Sequence, residues 1–175
     1  MIFRLFSVKS VISWRLRVIA PMEEELHQRL HSPLLGPCAC SQVRRLARKL
    51  SAHYDSVLSA EGLTITQYSL IVNIERAGRL SHSFLAEKVG MERTTLTRNL
   101  RPLIRAGWVA VAAGKDRRQH LLQLTATGKR KLMRSLPLWE QAQSQFLSRI
   151  GSQSLQELRA LLASAEPAVN VEPMG

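Results

Sequence analysis

The stretch from Leu80 to Leu124, LSHSFLAEKVGMERTTLTRNLRPLIRAGWVAVAAGKDRRQHLLQL, leaves few folds open. Leu85, Ala86 and Val89 fall on one face of a short helix, because residues three and four apart are neighbours there. Gly90 supplies a turn, and the small Ala86 lets a second helix cross closely. That second helix is expected from about Glu92 to Ala106, with Leu96, Leu100, Leu103 and Ile104 as its buried stripe. Thr94, Arg98, Arg101 and Arg105 then face outward together. Beyond Gly107, the runs Trp108–Val111 and His120–Leu124 space apolar residues by two and are predicted to pair as a hairpin, with Gly114 and Asp116 supplying its turn. The pattern predicts a mainly α chain with a small β-wing.

Charge sharpens this reading. From Arg93 to Arg134 there are eleven Lys and Arg residues against the single acid Asp116, so this stretch carries ten of the chain's twelve net positive charges. The rest of the chain is nearly balanced, and the excess marks one surface suited to phosphates rather than a generally basic protein. Threonine hydroxyls and arginine guanidinium groups on a helix suit phosphate and base-edge contacts. Lys115, Arg117 and Arg118 at the hairpin tip suit a narrow, negative minor groove. Double-stranded DNA is therefore the expected partner. Pro102 lies inside the second helix, where it removes a backbone bond and is expected to kink or break it, so Thr94, Thr95, Thr97 and Arg98 rank above Arg101 and Arg105 as contacts.

These residues resemble the MarR (multiple antibiotic resistance regulator) family of winged helix-turn-helix transcription factors over roughly Cys40 to Ile150. The motifs are Leu85-Ala86 before the turn, the threonine-rich helix TTLTRNL, an Ala-Gly-Trp helix end, Asp116-Arg117-Arg118 in the wing, and Leu124-Thr125 with Gly128 opening a long helix. The resemblance implies a cytoplasmic homodimer on a palindromic operator. It also implies that Arg118 enters the minor groove while Asp116 orients the wing through an ion pair. A further implication is a repressor released by a small aromatic or phenolic effector, bound between dimerisation helices and the winged helix, or released by oxidation.

Around this centre the chain divides into an N-terminal extension (1–21), an N-terminal dimerisation helix (38–62), the winged helix-turn-helix (63–124), C-terminal dimerisation helices (125–166) and a tail (167–175). Ser41 to Leu58 carries a stripe of Val43, Leu46, Ala47, Leu50, Tyr54, Val57 and Leu58 opposite Arg44, Arg45, Arg48 and Lys49. Thr64 to Gln67 has capping-box spacing and should open a helix that buries Tyr68, Ile71, Val72 and, at the edge of that face, Ile74. Thr125 to Ile150 reads as a helix interrupted near Pro137, and a last helix runs from Ser154 to about Ser164. Their leucines and aromatics exceed what a thin arm buries alone, which favours a symmetric pair of chains.

The first residues, MIFRLFSVKSVISWRLRVIA, mix Arg4, Lys9, Arg15 and Arg17 with Phe3, Phe6 and Trp14. They lack the uninterrupted apolar run and small-residue site of a signal peptide. An amphipathic membrane contact is one reading. The favoured one starts translation at Met22, with no stable membrane association. No metal or cofactor is expected, since Cys38 and Cys40 stand without a ligand set beyond nearby His31.

Cys40 matches the position of the sensing cysteine in the organic-hydroperoxide branch of the family, which makes a thiol-based peroxide sensor the alternative reading. Ala47 departs from that branch, which has a tyrosine there to hold the thiolate. Effector candidates are Cys40, Arg44, His53 and Tyr54, with Trp108 behind them. A thiol-dependent enzyme is a remote alternative, because no base and orienting partner stand at a defined spacing, so the chain is not expected to be an enzyme. A winged helix used for RNA or protein contacts is a third reading.

Overall fold

The computed structural model describes residues 20–32, 36–113 and 120–169. The chain divides at Ala47/Arg48 into two compact units. In the first, helix α1 (Ala20–Leu30) buries none of its residues and carries an Arg29–Glu25 ion pair of 2.7 Å one turn apart. Helix α2 (Ala39–Leu58) begins in this unit and ends in the second, where a short 3₁₀ turn, η1 (Ser59–Glu61), follows it.

The second unit holds the core. Helix α3 (Ile65–Ala77) opens on the expected capping box: the Thr64 hydroxyl accepts from the Gln67 N–H at 3.2 Å, and the Gln67 side chain accepts from the Thr64 N–H at 3.1 Å. These reciprocal bonds satisfy two donors that the first helical turn leaves open. Tyr68, Ile71 and Ile74 are buried as expected, and Leu70 joins them, so α3 presents a wide apolar face to the centre. Val72 is only half-buried.

Two short helices, α4 (His82–Lys88) and α5 (Arg93–Arg105), follow across the turn at Gly90, whose φ of +62° is the left-handed conformation that a side chain would strain. Leu85 and Ala86 from α4 and Leu96, Leu100 and Leu103 from α5 pack into the same core. Burial of each leucine contributes roughly 1.5–3 kcal/mol before the entropy of ordering is counted. Ile104, expected in that stripe, is 39% exposed. It lies at the rim of the stripe, where the helix turns its next face toward solvent.

Strands β2 (Val109–Ala113) and β3 (His120–Leu124) form the expected antiparallel hairpin in the register Val109↔Leu124 and Val111↔Leu122. A third strand, β1 (Leu80–Ser81), pairs with the other edge of β3, giving the order β1-β3-β2. Two residues cannot display a period-two pattern, so nothing in the local sequence announces β1. It ties the start of α4 to the wing and covers one edge of β3.

Helix α6 (Ala126–Ile150) is continuous through Pro137, and α7 (Ser152–Val169) starts earlier and runs further than expected. Helix α5 likewise runs through Pro102 without a break, contrary to the expectation from sequence. Proline removes only the bond to the Arg98 carbonyl. Its own carbonyl still accepts from the Ala106 N–H at 2.9 Å, close to the helix end, where few bonds remain to be lost.

The most exacting contact in this unit is between α6 and Trp108, three residues past the end of α5. A Cβ placed on Gly128 would stand 2.0 Å from the Trp108 carbonyl oxygen. Thr125 caps α6 by accepting from the Gly128 N–H at 3.0 Å and donates its own proton to the Gly107 carbonyl at 2.6 Å. Gly128→Ala must push two backbones apart, so the variant is expected to lose about 3 kcal/mol of stability. Urea denaturation at fixed protein concentration checks this; a loss below a few tenths of a kcal/mol would show that the contact yields.

Candidate nucleic-acid interface

The outward face of α5 is built from residues that the core does not need. With Leu96, Leu100 and Leu103 turned inward, Thr94, Arg98, Arg101 and Arg105 are exposed at spacings of four, three and four, a continuous stripe along the helix. Among the described residues, no acidic side chain pairs with any arginine of α5. Their positive charge is therefore available to an external anion.

The other candidates on α5 are partly committed within the protein. Thr97 Oγ1 donates to the Arg93 carbonyl at 2.8 Å and lies 3.3 Å from His82 Nε2, so its methyl group and remaining lone pair are what it can offer a ligand. Thr95 is half-buried, and its carbonyl accepts from Asn99 Nδ2 at 2.9 Å. Arg93 Nη2 donates to Ser83 Oγ at 3.0 Å and fastens the start of α5 to α4. Burial lowers the pKa of His82, and the nearby Arg93 charge adds to that shift, so His82 stays neutral further into the acid range than a free imidazole.

Between α5 and the base of the wing lies a cavity of about 500 Å³, lined by His82, Thr97, Leu100, Arg101, Ile104 and Val111 among others. Its floor is apolar and its rim basic. The wing tip that carries Lys115, Asp116, Arg117 and Arg118 lies outside the described residues.

The basic stretch does not form one surface. Lys129 pairs with Glu75 at 3.0 Å, while Lys131 and Arg134 reach Glu61 at 2.8 and 3.2 Å. These cations of α6 find carboxylates supplied by α3 and η1, outside the stretch in which they were counted. Only the tertiary fold reveals that pairing. Within the basic segment, Arg98, Arg101 and Arg105 of α5 and Arg130 of α6 are exposed without a carboxylate partner among the described residues.

The residues considered for an effector or a redox switch are divided between the two units. Cys40 and Arg44 are exposed in the unit that ends at Ala47. His53 and Tyr54 instead face α6: His53 Nε2 lies 2.9 Å from the Ala142 carbonyl, and the Tyr54 hydroxyl donates to Gln143 Oε1 at 2.7 Å. Burial raises the Tyr54 pKa and keeps the phenol protonated. Trp108 lies beneath the Lys131 ammonium, 4.6 Å from the ring centre.

Cys38 is the thiol that the local structure activates. It stands immediately before α2, where the backbone N–H groups of Ser41 and Cys40 at the helix start lower its pKa. A cysteine three residues ahead of a serine at a helix start was the available signal, since that is where a capping side chain meets free N–H groups. Among the described residues, no three His, Cys, Asp or Glu side chains stand together as a metal site.

A second groove, of about 510 Å³, lies between α3 and α6. Tyr68, Val72, Leu132, Leu136 and Trp139 form its apolar walls, while Asn73 and Arg76 add polar groups. Tyr68 and Trp139 lie nearly parallel with ring centres 6.1 Å apart.

Comparison with known proteins places this geometry. The MarR family model matches residues 63–120. The transcriptional regulator MosR of M. tuberculosis, solved in complex with DNA, is 39% identical, with a TM-score of 0.67 over 77% of this chain and 100% of that one. Wild-type MarR from E. coli in its apo form shares the fold at 20% identity, with a TM-score of 0.62 over 74% of this chain and 97% of that one. A curated relative, the uncharacterized HTH-type transcriptional regulator YwoH of Bacillus subtilis, is 27% identical over 90 residues, which span 51% of this chain and 66% of that protein. With its three-stranded sheet, paired short helices and a full-length match to MosR, the chain belongs to the MarR family of winged-helix transcriptional regulators.

Proposed function

We propose that the chain acts as a homodimer that binds a palindromic DNA operator in the cytoplasm and represses transcription by occupying a promoter. The observation that carries this reading is the exposed Thr94, Arg98, Arg101 and Arg105 stripe on α5, unpaired among the described residues and backed by a buried leucine face. A recognition helix needs that combination: cations and hydroxyls at the groove, and a rigid support that fixes their register. Dimerisation is supported by apolar residues that one chain leaves open, including Val43 and Leu46 on α2, Leu147 on α6 and Leu161 on α7. Among the described residues, no helix is long and apolar enough to cross a membrane. In this reading the chain binds and releases DNA and is not an enzyme.

Release by a small aromatic or phenolic effector is supported by the groove between α3 and α6, which joins an element of the DNA-reading unit to a long helix. Aromatic walls suit such a ligand, and Arg76 and Asn73 suit an anionic or phenolic edge. To release DNA, the effector must bind one spacing of the two reading lobes better than the other. Oxidative release is a second reading, favoured by the Cys38 environment, and it shifts attention from Cys40 to Cys38 as the first thiol to react.

Two measurements test these readings. In anisotropy titrations on an operator selected from a random duplex pool, Arg98→Ala is expected to cost roughly 1–3 kcal/mol on the operator and much less on random duplex. Arg118→Ala should weaken both and lower the salt slope by about one. Equal losses on both duplexes would remove base reading from Arg98. In a Cys40→Ser background, alkylation of Cys38 by iodoacetamide should reach half its maximal rate below the ordinary thiol pKa. A midpoint at or above that value would remove the oxidative reading.

A further inference from the structure

Lys131 is out of place for a DNA-contacting lysine. It sits in the second turn of α6 within the most basic part of the chain, yet it is only 7% exposed. Its Nζ bonds the Glu61 carboxylate at 2.8 Å and the Glu61 backbone carbonyl, and it stands 4.6 Å from the centre of the Trp108 ring. Arg134 Nε donates to the same carboxylate oxygen at 3.2 Å. The Lys131 ammonium thus joins three segments at one point: η1 through Glu61, the start of the wing through Trp108, and α6, which carries it.

Trp108 also stands three residues past Arg105, where α5 ends. Its N–H donates to the Leu103 carbonyl at 3.0 Å, and its carbonyl accepts from the Thr125 N–H at 3.0 Å. Whatever holds the Trp108 ring therefore also holds the last turn of α5, which bears Arg105 and follows directly on Arg101. A buried ion pair is a poor source of stability, because desolvating both charges offsets most of their attraction, and an apolar group of similar size would often serve as well. Its use here lies in geometry, because the Lys131 ammonium meets the Glu61 carboxylate, the Glu61 carbonyl and the Trp108 ring together in one arrangement.

We infer that Lys131 is a positioning residue for DNA reading, setting the angle of α5 and the wing against α6 through Trp108 and Glu61. This inference rests on the regulator reading above. Lys131 does not itself reach phosphate, and its influence passes through the groups it touches. The Trp108 contact is a cation–π attraction, and the Glu61 contact is a charge-assisted hydrogen bond.

The test compares full-length wild type with Lys131→Met and Lys131→Arg on a duplex selected by the wild type and on random duplex. Each is titrated at two salt concentrations, and folding is verified by urea denaturation. Lys131→Met is expected to lose roughly tenfold in affinity for the selected duplex, the size of one lost base contact, with random-duplex affinity and salt slope unchanged. Lys131→Arg should recover most of that loss, because a guanidinium can bond the carboxylate and stack on the ring.

A folded Lys131→Met that keeps wild-type selectivity overturns the inference while leaving the regulator reading intact. So does an equal loss on both duplexes with a lower salt slope, which would make Lys131 a direct phosphate contact. If Lys131→Met does not fold, Glu61→Gln, which keeps the lysine stem and the Trp108 contact, decides the matter: reduced selectivity supports the inference and full selectivity overturns it. Absence of any preferred duplex for wild type would overturn the regulator reading, and this inference with it.

Discussion

The close approach of Gly128 to the Trp108 carbonyl, where an added Cβ would stand at 2.0 Å, is the constraint on which the arrangement of the second unit turns. A backbone-to-backbone contact of this kind allows almost no sliding, so the start of α6 is located against the exit of α5 with little freedom. The surrounding bonds reinforce it: Thr125 and Thr127 both donate to the Gly107 carbonyl, and the Trp108 N–H returns to α5 through Leu103. The helix that presents arginines to a groove and the long helix that leads away from it therefore meet at a fixed joint. Side-chain packing alone would have left that joint looser, because rotamers adjust where a carbonyl oxygen cannot.

Electrostatics divides the same region by function. On α6, Lys129, Lys131 and Arg134 are drawn to Glu75 and Glu61 and help hold α3 and η1 in place. The Lys131 hydrogen bond keeps the Glu61 carboxyl below the usual carboxylate range, with Arg134 acting in the same direction. That linkage is complete above the ordinary carboxylate pKa and fades only as pH falls through the lowered one. The pair is thus intact throughout the neutral range. On α5, by contrast, the guanidinium groups have no described acidic partner and remain available for phosphates or base edges.

Much of this was legible in the chain because local rules govern it. The capping box at Thr64, the turn at Gly90, the leucine stripe of α5 and the hairpin from Trp108 to Leu124 each follow from a few neighbouring residues, and each stands where the pattern put it. Failures came where distant residues decide. Strand β1 exists only because β3 offers it an edge, and Leu70 is buried only because α3 is covered on more than one side. The tolerance of α5 for Pro102 reflects its position near the helix end and a leucine face already anchored in the core, so the local preference for a break is overruled.

Periodicity, turn chemistry and charge counting in the sequence determined that this is a winged helix with a threonine- and arginine-bearing second helix, because helical and strand repeats and glycine turns are set by residues only a few positions apart. Which cations of α6 are paired and where α6 is locked were decided by the tertiary structure. Ion pairing, burial and backbone contact depend on partners such as Glu61 and Lys131, or Trp108 and Gly128, that lie far apart along the chain and meet only when it folds.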